Sequence, residues 1–137
     1  MSDSKPVGFL NSKTKELLPD DEMIVGTAWC RNCRDMITLW PVMFRDSKGI
    51  EWFVEEGQRI NGLSIPRFFW RVIHPYSAKY REGSVVHDAA CQSMDRPSVD
   101  VHRMLYEAWL ANGGHWLKSW IMYKLVTWFG PQFSGKV

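Results

Sequence analysis

The sequence predicts an α+β domain, a small antiparallel meander of about three strands followed by a cluster of about four helices. Three observations predict it. β-branched, apolar and aromatic runs broken by turn residues fill the stretch from Met23 to Glu55. After Gly57 the apolar residues recur at helical spacing. That second half is divided by His74-Pro75, Arg96-Pro97 and Asn112-Gly113-Gly114, which are helix-stopping combinations. At 137 residues the chain is one domain, long enough to bury roughly 65–70% of its unfolded surface without a covalent staple.

Residues 1–22 are polar and interrupted by Pro6, Gly8 and Pro19, and are expected to be an irregular N-terminal arm. Met23 to Trp29, Met36 to Phe44 and Ile50 to Glu55 read as the strands, with Asp46-Ser47-Lys48-Gly49 as the turn between the last two. Ser64 before Pro66 is an N-cap pattern for a short helix carrying Phe68, Phe69, Val72 and Ile73. Ala78 to Ser93 reads as the next helix, Val99 to Ala111 as a third capped by Ser98, and His115 to Phe129 as the last. The domain thus spans 23–130, with 131–137 as a tail. The last helix is apolar nearly all round, so it is read as a buried central element, with insertion into a membrane interface or partner groove as the alternative.

The formal charge of +2, from 17 basic and 15 acidic residues, leaves no electrostatic footprint that would point to specific nucleic-acid binding. Three cysteines, Cys30, Cys33 and Cys91, are too few for a disulfide framework and indicate a reducing compartment. Cys30 and Cys33 form a single Cys-x-x-Cys, half of a zinc or redox motif, and read most simply as a turn with two free thiols. No apolar window reaches the ~20 residues that span a bilayer, and no signal core opens the chain.

The candidate chemistry is Val85-Val86-His87-Asp88 with His102 on the following helix. Helix neighbours diverge by about 100°, so His87 and Asp88 address adjacent atoms rather than one, as a base beside a metal would. The short link between the two helices brings His102 toward His87, where facing imidazoles share a proton or a metal. The competing expectation is structural: a core histidine at 87, and Asp88 paired with Arg81, Arg96 or Arg103. Arg67 and Arg71, one turn apart, are candidates for binding a phosphate or carboxylate, or else pair with Glu55, Glu56 or Asp88.

Gly62-Leu63-Ser64-Ile65-Pro66-Arg67, Val85 to Asp88, Tyr106-Glu107-Ala108, Trp120 to Tyr123 and Phe129-Gly130 together resemble the small phage and prophage family called domain of unknown function 1353, over about Ile50 to Gly130. That resemblance implies a phage- or prophage-encoded protein in the host cytoplasm or incorporated in the virion. The helical half is also similar to the short bacterial and fungal secreted phospholipases A2. By that second resemblance His87 would be the base that activates water, Asp88 the calcium ligand, His102 the residue orienting His87, and Asn61 the loop residue completing the calcium site.

This chain departs from that pattern at Asn61, at His102 and at Cys91, where the enzymes carry Asp, Asp and Tyr. An Asn for Asp removes a charge from a calcium site, and a histidine for the orienting Asp removes the carboxylate that would stabilise an imidazolium. The expectation is a degenerate hydrolase site in a binding protein, whose partner is a virion or host protein or a phospholipid surface. The alternative is an active calcium-dependent phospholipid hydrolase. A zinc site using His87, Asp88 and His102 ranks below both.

Overall fold

The structure, a computed structural model, describes residues 7–18, 27–29, 36–60, 70–71 and 80–135. Its architecture is α+β, with two small antiparallel sheets and, among the described residues, three α-helices. The strands are β1 (Gly8–Leu10), β2 (Thr27–Trp29), β3 (Met36–Thr38), β4 (Val42–Arg45), β5 (Glu51–Val54) and β6 (Arg59–Ile60). One sheet has the order β1-β4-β5 and the other β2-β3-β6. The helices are α1 (Arg81–Ser93), α2 (Ser98–Ala111) and α3 (Trp116–Phe129). Of the short helix expected over 68–73, only Trp70 and Arg71 lie within the described residues, in a 3-10 turn.

Two strand expectations are corrected. Met36 to Phe44 is not one strand: β3 and β4 belong to different sheets, and the chain passes from one to the other at Leu39-Trp40-Pro41. Proline lacks the N–H a ladder needs and restricts the residue before it, so the run breaks there. Gly8–Leu10, expected to lie in an irregular arm, forms an edge strand in register with Arg45 to Met43. Its reason is burial, since Phe9 and Leu10 both enter the interior and the Phe9 ring lies 5.0 Å from that of Phe44.

The turn at Asp46 to Gly49 forms as the sequence predicts, with Gly49 at φ 80°. Asp46 is its anchor. Its Oδ1 accepts from the backbone N–H groups of Lys48 and Ile50, each at 2.9 Å, and its Oδ2 accepts from Trp52 Nε1 at 2.9 Å. Arg103 of α2 reaches the same Oδ2 at 3.4 Å, and Glu107 accepts from the Ser47 N–H, so the hairpin is clipped to the helix.

The central element is α2 rather than α3. Val101, Met104, Leu105, Ala108 and Trp109 are all fully buried, and a large apolar side chain contributes about 1.5–3 kcal/mol on leaving water. α1 packs on one side of it and α3 on the other. The α1 crossing depends on Gly83, where a Cβ would lie 2.8 Å from the Trp109 ring. α2 begins after Pro97, and Ser98 does not cap it. The Ser98 hydroxyl instead accepts from Phe133 N–H at 3.1 Å, while Ser98 N–H donates to the Phe133 carbonyl at 2.9 Å.

Burial of the whole of α3 is the third expectation corrected. Its buried residues are Ser119, Met122 and Val126, whereas Trp116, Leu117, Trp120, Trp128 and Phe129 are exposed. A 14-residue helix that is apolar on every face has more hydrophobic arc than one neighbour can cover. Ser119 itself has a buried hydroxyl without a hydrogen-bond partner. Ser119→Ala removes that uncompensated group and improves helix propensity, so it is expected to raise stability by about 1 kcal/mol, measured by urea unfolding.

Candidate functional site

The helices α1 and α2 place two imidazoles face to face in the interior. His87 and His102 are both buried, and His87 Nε2 lies 2.9 Å from His102 Nδ1. The second nitrogen of His102, Nε2, lies 2.8 Å from the carbonyl oxygen of Pro131. A carbonyl only accepts, so His102 Nε2 carries a proton and donates it. Neutral His102 must then present a bare Nδ1, and His87 Nε2 is the donor to it. The chain of bonds runs His87 to His102 to Pro131 and leaves Nδ1 as the unprotonated nitrogen of His87.

The electrostatics of this pair favour neutrality. Burial, and then the His102 ring, push His87 well below its ordinary value of 6.5. Burial also lowers His102, opposed by its bond to the Pro131 carbonyl. The Cys91 sulfur lies 3.7 Å from His87 Nε2. Burial, and then the Asp88 charge, push its thiol up to about 12, so Cys91 is a thiol rather than a thiolate.

Asp88, one residue further round α1, serves a different contact. It is buried, its Oδ2 accepts from Gln92 Nε2 at 2.8 Å, and the same amide group donates to the Arg59 carbonyl at 2.8 Å. This ties α1 to β6. The alternative pairing of Asp88 with Arg103 gives way to another arrangement: Arg103 is held by Asp46, Asp100 and Glu107. Arg96 stacks over the Trp52 ring, 5.6 Å from its centroid.

His87 and His102 are therefore brought together, and Asp88 stands beside them on another helix face. Asn61 and Arg67 lie outside the described residues, as do Cys30, Cys33 and Ser64. Arg71 is exposed in the 3-10 turn with Trp70. Among the described residues no group of three or more His, Cys, Asp or Glu side chains is arranged to hold a metal ion. The two imidazole nitrogens that face each other share a proton, Nε2 of His102 holds Pro131, and Nδ1 of His87 lies 4.0 Å from the Cys91 sulfur. A groove of about 380 Å³ between β5 and α1, lined by Trp52, Phe53, Val86, Ala89 and Arg96 among others, does not include the histidine pair.

Two participants were not legible as such. Pro131 lies in what reads as a tail, yet it is the terminal acceptor of the relay, and Phe133 beyond it packs against the core. The aromatic at 133 was the available signal that this tail returns to the domain. Gln92 had no signal beyond its position four residues after Asp88.

Among known proteins, the chain is 38% identical over 92 residues to the uncharacterized protein y4jT of Sinorhizobium fredii, covering 66% of this chain and 27% of that protein. It is 28% identical over 90 residues to the uncharacterized protein y4iH of the same organism, covering 65% of this chain and 38% of that one. The chain thus spans well under half the length of these curated relatives. No solved structure matches it. None of its described helices is long and apolar enough to cross a membrane. Residues 38–126, which hold β4, β5, β6, α1, α2 and most of α3, match the family described as protein of unknown function (DUF1353), and the chain belongs to that family.

Proposed function

We propose that this chain is a small binding protein, a virion component or host-directed accessory factor of phage or prophage origin, in which a hydrolase-like histidine site has become structural. The observation that carries the reading is the neutral acceptor facing His87. A histidine acting as general base must end its step as an imidazolium, and a carboxylate at the far nitrogen is what stabilises that ion. Here the far nitrogen meets another imidazole in a buried site, and burial, with the His102 ring, holds His87 well below its ordinary value and so opposes its protonation.

A calcium ion at Asp88 fits this reading only weakly. Calcium takes roughly six to eight oxygen ligands, and Asp88 is one carboxylate already engaged by Gln92. Asn61 would add an uncharged oxygen. Zinc would have to break the His87–His102 bond to gain both imidazoles.

The hydrolase alternative has one observation in its favour: the relay makes Nδ1 of His87 its proton-accepting nitrogen, the protonation state a base needs. Fatty-acid release from mixed phospholipid vesicles, followed by mass spectrometry with calcium and with chelator, separates the two. The expected result is no release from the wild type or from His87→Ala under either condition. His102→Asp, which restores a carboxylate beside His87, is expected to raise calcium affinity or activity above the wild type. Release by the wild type that requires both calcium and His87 would overturn the binding-protein reading in favour of the hydrolase.

A further inference from the structure

The outward face of α3 has no role in the histidine site. At about 100° per residue, the arc opposite buried Ser119, Met122 and Val126 holds Leu117, Trp120, Ile121, Lys124 and Trp128, with Trp116 at its edge. Trp116 is 65% exposed, Trp120 45% and Trp128 66%, which leaves three indoles on one side of a helix about 20 Å long. Exposed apolar side chains scattered singly are ordinary, but a contiguous set of this size marks a contact surface.

The charge around this face selects the kind of surface it meets. After Glu107 the sequence contains no Asp or Glu, while Lys118, Lys124 and Lys136 are all cationic. Lys124 lies within the aromatic face, its ammonium 5.8 Å from the Trp120 ring centroid and 5.3 Å from that of Tyr123. Indoles combine an apolar body with one N–H donor and settle where hydrocarbon gives way to headgroups. Lysines bury their stems against such a face and keep the charge at its edge. A helix with tryptophans and lysines, no carboxylate and too little length to span is suited to lie in the plane of an anionic bilayer surface.

We propose that α3 docks this protein on anionic phospholipid surfaces through Trp116, Trp120 and Trp128, with Lys118 and Lys124 contacting the headgroup charge. The proposal rests on the reading of the chain as a binding protein and names its partner. The indoles supply the affinity, and each lysine adds about five-fold through the surface potential, an increment that salt screens.

The test is co-sedimentation of the full chain with vesicles of phosphatidylcholine alone and of phosphatidylcholine mixed with phosphatidylglycerol, at low and high salt. Tryptophan emission, fatty-acid release and solution mass are followed alongside. The expected result is binding to the anionic vesicles, weakened by salt and accompanied by a blue shift of emission. The triple variant Trp116→Ser/Trp120→Ser/Trp128→Ser should bind at least roughly ten-fold more weakly. Lys118→Gln/Lys124→Gln should lose most of the preference for phosphatidylglycerol, and provides an independent arm if the triple variant does not fold.

Failure of the folded wild type to bind either vesicle would overturn the proposal and leave the non-catalytic reading standing. Equal, salt-insensitive binding to both vesicles would overturn the anionic selectivity. A dimer that the triple variant converts to monomer, without vesicle binding, would assign the face to a second copy and also overturn it. Binding accompanied by His87-dependent fatty-acid release would keep the docking surface and overturn the non-catalytic reading.

Discussion

Acidification below pH 6.5 is expected to destabilise the fold steeply, because the interior holds two histidines that resist protonation. Both His87 and His102 lie below their ordinary value of 6.5 in the folded chain, and His87 well below it. Well above pH 6.5 both rings are neutral in the folded and unfolded chains alike, so they contribute no pH dependence there. As pH falls through 6.5 the unfolded chain takes up protons that the folded chain refuses, and stability is lost until the folded-state values are reached. The slope is ~1.4 kcal/mol per pH unit for each histidine and up to ~2.7 for the pair. Urea unfolding between pH 7.5 and about 5 measures it. His87→Gln should remove one proton's share of the slope, and an unchanged slope would show that His87 titrates normally in the fold.

Asp46→Ala is expected to cost about 3–5 kcal/mol, because several buried donors lose their acceptor at once, at about 1–3 kcal/mol each. Asp46 is fully buried and collects two turn N–H groups, the Trp52 indole and the Arg103 guanidinium on one carboxylate. Its loss would orphan a buried indole N–H and release the clip between the β4–β5 hairpin and α2. Against a typical total of about 5–15 kcal/mol, that is enough to unfold a large fraction of molecules near physiological temperature. Asp46→Asn keeps an oxygen for the two turn N–H groups but sets an amide donor against the Trp52 indole N–H and Arg103, and should cost about 1–3 kcal/mol, less than the alanine variant. Equal losses for the two variants, measured by thermal or urea unfolding, would show that the turn bonds contribute little.

The helices were legible because their sequence signals are local. Asn112-Gly113-Gly114 ends α2 with Gly113 at φ 83°, His115 accepts from Lys118 N–H at the start of α3, and Arg96-Pro97 separates α1 from α2. The turn anchored by Asp46 is local in the same sense. The sheets were less legible because strand partners are chosen across the chain. Nothing within Met36 to Phe44 says that its two halves join different sheets, although Pro41 marks where they part.

The same distinction holds for the site. Close approach of His102 to His87 follows from a short interhelical link, but the direction of the proton between them is set by Pro131, 29 residues from His102. The exposure of α3 was hidden for a related reason. A helix whose apolar residues encircle it carries no stripe to identify the core side, so only the positions of α2 and its neighbours select Ser119, Met122 and Val126.

The central claim is that His87 and His102 form a neutral, hydrogen-bonded pair without base function. Nitrogen-15 NMR of the imidazole rings as a function of pH tests it most directly, since it reads both tautomer and titration. The expected result is a proton on Nε2 of both rings and titration midpoints below 6.5, with His87 the lower. A His87 ring titrating at or above 6.5 would contradict the account and return His87 to the role of a working base, and a His87 ring protonated on Nδ1 would contradict the direction assigned to the His87–His102 bond.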